Sequence, residues 1–369
     1  MNLIIALALV SSSLAVVSGD TILQSTYKGP DGLHDLAKTA GKYMGTATNL
    51  DVSDTYYTKQ LKNIKDFGMI TPTNAMKWDA TEPQQGVFTF TSADQVVAIA
   101  NESDAQVRCH ALLWHQQVPK WVENLEKADL LNALANHITK VMTHFGDLCY
   151  AWDVANEVIA DDGSYRQSFW YTKTGKEYIA TAFETAAAVK KSLGLKTKLY
   201  YNDYNTNTIN AKSTAVLEMV QSLIKDGINV DGVGFQAHFS YSDTASTDDQ
   251  VKNFNRFTAL GMDVALTELD VKTSSASPST QEQKQQVSVY TNAIAACKQV
   301  KKCVGVTIWD FVDTYTWIES SAPLPWYQPG GENTALIRKA AYDGIVEGWK
   351  TELTHMWPGS SWQDRENVF

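Results

Sequence analysis

The chain has 369 residues, of which 44% are hydrophobic and 11% aromatic, a composition typical of a folded α/β protein that excludes global disorder. The formal net charge of −10 argues against nucleic acid or an anionic membrane surface as a partner, and a neutral substrate fits this charge better.

The chain begins with an apolar run followed by small residues, MNLIIALALVSSSLAVVSG (1–19). This pattern predicts a secretory signal peptide that is cleaved after Ser18 or Gly19, although no Lys or Arg precedes the apolar run. The alternative is a single N-terminal membrane anchor, which the short and serine-broken run disfavours. We therefore expect a secreted, extracellular protein whose mature part is 20–369.

Short strand-like runs alternate with longer helix-like segments along the rest of the chain. The predicted strands are KYMGTAT (42–48), MITPTN (69–74), QVRCHALLW (106–114), CYAWDVANE (149–157), KLYYNDYN (198–205), GVGFQAH (232–238), DVALTELDV (263–271) and GVTIWDF (305–311). Helices are predicted at 128–145, 176–193 and 280–300, and a less regular segment after about 318 leads to a final helix near 334–349. No linker divides the chain, so the pattern predicts a single-domain (β/α)8 TIM barrel. The alternative is a doubly wound open sheet, but no GxGxxG loop supports it.

Four cysteines fit an oxidising compartment. Cys297 and Cys303 are close enough to close a small loop, which leaves Cys109 and Cys149 to pair by elimination, a pairing that the sequence alone does not prove. No CxxC or Cys/His cluster is present, so no structural metal site is expected. The only N-glycosylation triplet begins at Asn101, where an exposed loop would suit it.

The ends of the predicted strands carry a particular set of side chains. In a barrel of this kind the C-terminal strand ends face the active site. The residues concerned are Asn74, Lys77, His110, Trp114, Gln117, Asn156, Glu157, Tyr204, Asn205, Gln236, His238, Glu268, Asp270 and Trp309. Sugars stack their apolar faces on Trp and Tyr and need amides and carboxylates for their hydroxyls, so this set indicates a carbohydrate site. The tryptophans could instead be core residues, and Lys77 a solvated charge.

Two isolated carboxylates at these ends favour hydrolysis of a glycosidic bond, which needs two carboxyl groups flanking it. Glu157 ends the fourth run and Glu268 lies in the seventh, and these two strands face each other across an eight-stranded barrel. A single Glu at a strand end is more often part of a structural ion pair. Two of them beside sugar-type residues favour a catalytic pair, with His238 expected to bond to Glu268. Two carboxylates suffice for this chemistry, so no metal or organic cofactor is expected.

Several motifs in the same order resemble glycoside hydrolase family 10, whose members are mostly endo-β-1,4-xylanases. They are WDVANE (152–157), LTELDV (266–271), GTATN (45–49), TPTNAMKWDATEP (71–83), HALLWHQQVPKWV (110–122), YNDYN (201–205) and VGFQAHF (233–239). The resemblance covers about 30–320 and implies a (β/α)8 barrel. It also implies a retaining hydrolase that acts on xylan or xylo-oligosaccharides.

The resemblance implies a role for each matching position. Glu157 matches the acid/base, Glu268 the nucleophile and Asn156 the ligand of the sugar 2-hydroxyl. His238 matches the histidine beside the nucleophile, with Asp270 as its partner. The other matching positions are Asn74, Lys77, His110, Trp114 and Gln117 on the glycone side, Tyr204 and Asn205 on the aglycone side, and Trp309 and Trp317 over the central sugar. A close cysteine pair such as Cys297 and Cys303 is usual in fungal members.

The chain departs from the family pattern at the expected rim of the cleft. Thr73 stands where the family usually has a Glu that binds the second glycone sugar, and Asp310 where Gly commonly follows the strand-eight tryptophan. The segment 319–350 also differs, and its apolar residues 323–327 (PLPWY) could receive an apolar aglycone. An alternative substrate is therefore a steroidal glycoalkaloid, as in tomatinase-like members. A catalytically inactive, carbohydrate-binding barrel is an alternative of another class. Nothing in the sequence calls for more than a monomer.

Overall fold

The computed structural model describes residues 21–50 and 53–352, so the predicted signal peptide lies outside the described residues. Eight parallel strands form a barrel: β1 (Tyr43–Thr48), β2 (Met69–Pro72), β3 (Gln106–Leu113), β4 (Cys149–Asn156), β5 (Lys198–Asp203), β6 (Gly232–Phe235), β8 (Asp263–Lys272) and β9 (Cys303–Ile308). Each strand pairs with the next in this order, and β9 pairs back onto β1 to close the barrel. The fold predicted from the sequence is confirmed.

Helices cover the outside of the barrel. They are α1 (Leu33–Lys38), α2 (Thr55–Leu61), α3 (Trp78–Thr81), α4 (Thr91–Glu102), α5 (Lys120–Glu123), α6 (Lys127–Phe145), α7 (Phe169–Thr174), α8 (Glu177–Leu193), α9 (Ala211–Lys225), α10 (Thr247–Thr258), α11 (Thr280–Gln299) and α12 (Ala340–Lys350). Within the described residues, no helix is both long and apolar enough to cross a membrane.

The strands are buried on both faces, because one face lines the barrel interior and the other packs against the helices. In β4 seven of the eight residues are buried, including Trp152, which is fully enclosed. The disulfide between Cys109 and Cys149 joins β3 to β4, and the one between Cys297 and Cys303 joins the end of α11 to β9. Both cysteine pairs expected from the sequence are therefore bonded.

Most predicted strand and helix ends differ from the structure by one to three residues, and three features differ in kind. The sixth run breaks after Phe235, and His238 begins a separate short strand, β7 (His238–Ser240), which pairs with β8. The final helix begins at Ala340 rather than near 334, since a small hairpin of β10 (Trp326–Tyr327) and β11 (Ile337–Arg338) precedes it. Asn101 is exposed but lies in the last turn of α4, so its expected loop position is wrong.

The apolar run 323–327 does not form a rim. Leu324 and Trp326 are 0% and 2% exposed, and the prolines on either side of Leu324 are buried. The Trp326 ring packs against Phe67 and Phe311, with ring centroids 5.7 Å away in each case. Apart from the half-buried Tyr327, these residues belong to the core, because the hydrophobic effect favours burying them where the barrel wall has space. The expectation that they receive an apolar aglycone is wrong.

Candidate active site

Side chains from the C-terminal strand ends line one open cleft with a cavity of about 490 Å³. The lining residues are Asn49, Thr73, Asn74, Lys77, His110, Trp114, His115, Gln116, Gln117, Asn156, Glu157, Arg166, Tyr204, Gln236, His238, Glu268, Trp309 and Trp317. Of the predicted substrate-binding residues, Asn205 alone is not among them. Its side chain is exposed and its amide donates to Asp161 instead (3.3 Å).

Glu268 is buried in β8 and held by donors on both carboxylate oxygens. Asn202 Nδ2 donates to Oε1 (2.8 Å), and His238 Nε2 lies 3.2 Å from Oε2. Behind it, His238 Nδ1 and the exposed Trp317 Nε1 both meet the Asp270 carboxylate, at 2.9 and 2.8 Å. The predicted His238 contact with Glu268 is therefore present.

The electrostatics of this group favour an ionised Glu268. Burial raises the pKa of Glu268, but the hydrogen bond from His238 and the electrostatic effect of nearby His110 outweigh burial, so the pKa lies below its usual value. Burial lowers the pKa of His238, but the charges of Asp270 and Glu268 raise it to about 10. His238 is therefore an imidazolium near neutral pH and donates to both carboxylates.

Glu157 directly follows β4 and is held differently. Its carboxylate accepts from Trp114 Nε1 (2.9 Å) and Gln236 Nε2 (3.0 Å), both of them neutral donors. Arg166 Nε donates to the Glu157 carbonyl (2.7 Å), which fixes the backbone at this point. Glu157 has a positive φ of 57°, a conformation that most residues avoid, and this turn aims its side chain into the cleft.

A cluster of buried amides connects the two carboxylates. The side chains of Asn202 and Gln236 each bond to that of Asn156, while Asn202 also donates to Glu268 and Gln236 also donates to Glu157. Asn202 fits beneath Glu268 because Gly234 lies beside it: a Cβ at Gly234 would be 2.3 Å from Asn202 Oδ1. Asn202 lies within the YNDYN motif (201–205), but no role was predicted for it from the sequence.

Residues 32–348 match the sequence model of glycosyl hydrolase family 10. The chain belongs to this family. It is 42% identical over 327 residues to an endo-1,4-beta-xylanase of Agaricus bisporus, covering 86% of this chain and 94% of that one. It is 42% identical over 334 residues to endo-1,4-beta-xylanase A of Humicola insolens, covering 86% of each chain.

Solved structures agree with the family assignment. The crystal structure of GH10 xylanase from Bispora sp. MEY-1 with xylobiose has a TM-score of 0.84 at 42% identity, over 86% of this chain and 99% of that one. Native xylanase 10B from Thermotoga maritima has a TM-score of 0.78 at 33% identity, over 86% and 98%. The chain is thus a glycosidase with the family 10 barrel.

One end of the family 10 cleft carries a buried lysine. Lys77 Nζ donates to Asn74 Oδ1 (2.9 Å) and Gln117 Oε1 (2.6 Å), and Asn74 Nδ2 donates to Asn49 Oδ1 (2.8 Å). Burial lowers the pKa of Lys77, an effect that the charges of Glu268 and Glu157 oppose. Thr73 also lines this end, so the departure noted in the sequence does lie at the cleft.

The other end of the cleft lies beyond Glu157 and is formed by Tyr204 and two cationic side chains that contact it. Arg166 Nη2 donates to Tyr204 Oη (2.9 Å), and Lys212 Nζ sits 3.2 Å from the ring centroid. Lys212 is itself buried between Asp203 (2.9 Å) and Asp161 (3.2 Å), which neutralise it. The phenol is therefore fixed as a flat surface at the cleft.

A buried ion pair inside the barrel lies behind the floor of the cleft, which is formed by His110 and Trp309. Arg108 and Asp153 are 0% and 1% exposed and bond to each other, and His110 Nδ1 lies 3.0 Å from Asp153 Oδ2. Burial raises the pKa of Asp153, but the Arg108 charge outweighs burial and lowers it. His110 in turn packs edge-on against Trp309, with centroids 5.4 Å apart. Neither Arg108 nor Asp153 was predicted from the sequence as a residue that supports the site, although Asp153 lies within the WDVANE motif.

No group of three or more His, Cys, Asp or Glu side chains in the described parts of the chain is arranged to hold a metal ion. The cleft instead combines amides, three tryptophans and two carboxylates with unlike surroundings. Such a site can bind a neutral polyhydroxyl ligand and transfer a proton and a glycosyl group.

Proposed function

We propose that this protein is a secreted, retaining endo-1,4-β-xylanase that acts as a monomer. The observation that carries the proposal is the pair of Glu157 and Glu268 in one cleft, with only neutral donors on the first carboxylate and an imidazolium on the second. The relatives support xylan as the substrate, since those described above are named endo-1,4-beta-xylanases and one related structure holds xylobiose.

The chemistry is a double displacement. The Glu268 carboxylate attacks the anomeric carbon as the bond from that carbon to the leaving oxygen breaks, and Glu157 gives its proton to the leaving oxygen. This step yields a glycosyl ester on Glu268 and a free aglycone sugar with a new hydroxyl. Glu157 then takes a proton from water, whose oxygen attacks the same carbon and releases Glu268. Two inversions give net retention.

The ends of the cleft fit this direction of cleavage. The sugar that becomes bonded to Glu268 is the glycone, and the resemblance to family 10 assigns Lys77 and Asn74, to which Asn49 bonds, to the glycone half. The leaving sugar lies beyond Glu157, against Tyr204 and Arg166. Trp309 and the exposed Trp317 supply flat apolar surfaces for sugar faces in the centre.

The alternative substrate has lost its supporting feature. A glycoalkaloid hydrolase needs an apolar surface for the steroid, and of the residues 323–327 that suggested one, 323–326 are buried in the core and Tyr327 is half-buried outside the cleft. An inactive barrel is disfavoured because both carboxylates and the residues that hold them are present. Glycosylation of the exposed Asn101 remains part of the proposal, as does secretion.

The test is cleavage of linear β-1,4-xylohexaose, with products separated by length and the anomeric configuration followed by NMR. We expect internal cleavage to short oligomers with a β-configured initial product. Glu268→Gln and Glu157→Gln are expected to lower kcat by at least about 10³-fold, while the exposed Glu184→Gln on α8 serves as a matched control. A folded wild-type protein that leaves xylohexaose intact would reject xylan, and full activity of Glu268→Gln would reject the catalytic pair.

Secretion is tested separately by expression of the full chain in a fungal host. We expect the protein in the medium to begin near Gly19 or Asp20. Retention of the intact N-terminus on cell membranes would instead indicate an anchor.

A further inference from the structure

Asp310 follows Trp309 at the exit of β9 and has two unusual properties. Its φ is +66°, a left-handed conformation that costs energy for residues other than glycine. Its carboxyl group is also buried, with 6% of the residue exposed, and no cation forms an ion pair with it among the described residues. A buried carboxyl without a cationic partner costs free energy unless its hydrogen bonds are satisfied.

The two carboxylate oxygens bond in two directions. Oδ1 accepts from the backbone N–H groups of Phe311 (2.6 Å) and Val312 (3.3 Å), which fixes the turn that begins at Trp309. Oδ2 accepts from Tyr57 Oη (3.1 Å), and the Tyr57 ring stacks on Phe311 with centroids 4.5 Å apart. Asp310 therefore locks the exit of β9 onto helix α2.

From Tyr57 the chain of contacts continues to the exit of β1. Tyr57 Oη lies 2.8 Å from Thr48 Oγ1, which accepts from the Leu50 N–H (2.8 Å). This contact closes the turn that contains Asn49. The Asn49 side chain lines the cleft and accepts from Asn74, which accepts from Lys77.

Both ends of this chain are therefore cleft walls. One end is the floor at Trp309 and the other is the side wall at Asn49. We propose that Asp310 is a positioning residue that holds these two surfaces of the glycone half at a fixed separation and so sets how many glycone sugars the cleft binds. This inference rests on the proposed function, and it adds a specificity determinant outside the residues that line the cleft.

The positive φ at Asp310 permits a clean design. Asp310→Gly keeps the backbone conformation without strain and removes only the side chain. Asp310→Asn tolerates the same conformation and retains an oxygen for the two backbone donors, while its amide can donate to Tyr57. Tyr57→Phe removes only the hydroxyl. Tyr290→Phe is the matched control, because it also removes one buried tyrosine hydroxyl. This hydroxyl donates to the Pro323 carbonyl (2.7 Å) and not to Asp310.

The measurement is kcat, KM and cleavage position on xylohexaose carrying ¹⁸O at its reducing end. For Asp310→Gly we expect KM to rise about tenfold and kcat to change less than about twofold. Loss of a hydrogen bond to a buried carboxyl corresponds to roughly a tenfold change in a binding constant. We also expect cleavage to move toward the non-reducing end, because fewer sugars are held on the glycone side. Tyr57→Phe should shift it the same way, whereas Asp310→Asn and Tyr290→Phe should keep the wild-type pattern.

Cleavage position separates positioning from mere stability, because a smaller folded fraction lowers the rate but leaves the product ratio unchanged. An unchanged product ratio and KM in Asp310→Gly would therefore overturn the inference. Crystal structures of wild type and Asp310→Gly give a readout that does not depend on xylan being the substrate. We expect Trp309 or Asn49 to move by about 1 Å, a displacement large enough to affect binding. Failure of wild type to cleave xylohexaose would refute the proposed function alone, and unmoved side chains would refute the inference alone.

Discussion

The buried carboxyl of Asp310 predicts an unusual dependence of stability on pH. Burial raises the pKa of Asp310 from 3.8 to about 7, in spite of the donors from Phe311, Val312 and Tyr57, which oppose the rise. The unfolded chain releases this proton near pH 3.8, whereas the folded protein keeps it until about pH 7. The folded state thus binds more protons in this window, and raising the pH destabilises it. The contribution is fully present below pH 3.8 and is lost as the pH rises through 7.

The magnitude follows from the difference between these two pKa values. A gap of about three pH units corresponds to about 4 kcal/mol, at about 1.4 kcal/mol per unit. For a chain of this length the unfolding entropy makes 4 kcal/mol equivalent to about 5 °C in Tm. Asp310→Asn carries no titratable proton and retains the hydrogen bonds, so it should escape this loss.

The assay is calorimetric Tm of wild type and Asp310→Asn from pH 4 to 8. We expect the Tm difference between the two proteins to change by about 5 °C in favour of the variant across this range. The comparison cancels other groups, such as Asp203, whose pKa burial raises to about 6 in both proteins. Asp129→Asn, which removes an exposed carboxylate on α6, is the control. A constant Tm difference between wild type and Asp310→Asn from pH 4 to 8 would refute the reasoning.

Three further predictions concern the site and its frame. Gly234→Ala should lower kcat at least about 100-fold, because the new Cβ displaces Asn202 from beneath the proposed nucleophile. Circular dichroism should show that the variant is folded, and an unchanged kcat would contradict this contact. Asp270→Asn should move the acidic limb of the kcat/KM profile to higher pH, since loss of this charge lowers the pKa of His238 and so raises the pKa of Glu268, the proposed nucleophile; a shift to lower pH would contradict it. Replacing Cys109 and Cys149 together by Ala should lower Tm by about 5 °C through loss of about 4 kcal/mol of cross-link stabilisation, whereas an unchanged Tm would show that the bond adds nothing.

The barrel and its carboxylate pair could be predicted from the sequence because both depend on short-range patterns. A strand that is buried on both faces is a continuous apolar run, and Glu157 interrupts such a run at its end. The supporting layer could not be predicted in the same way. Arg108 and Asp153 meet only through the register between β3 and β4, and no spacing within either strand shows which charges face the barrel interior.

The wrong expectation about residues 323–327 has a similar cause. A short run of Pro, Leu and Trp after the last barrel strand is equally compatible with an exposed rim and a buried plug. The choice depends on neighbours that are remote in sequence, such as Phe67 and Tyr342, whose rings contact Trp326. For Asn101, helix α4 extends through the glycosylation triplet's first two residues, and exposure was predicted correctly although the loop was not.

Backbone strain in this protein is concentrated on the face that carries the cleft. Non-glycine residues with positive φ follow six of the eight barrel strands, and they are Leu50, Gln117, Glu157, Asn205, Ala237 and Asp310. Each costs of order 1 kcal/mol or more, so the packing of the rest of the barrel must offset this sum. At Glu157 the strained turn aims a carboxylate into the cleft, and at Asp310 it aims one away from the cleft into the contacts with α2. The same left-handed turn thus directs one carboxylate into the cleft, where we propose that it transfers a proton. It directs the other toward α2, where we propose that it fixes the positions of Trp309 and Asn49.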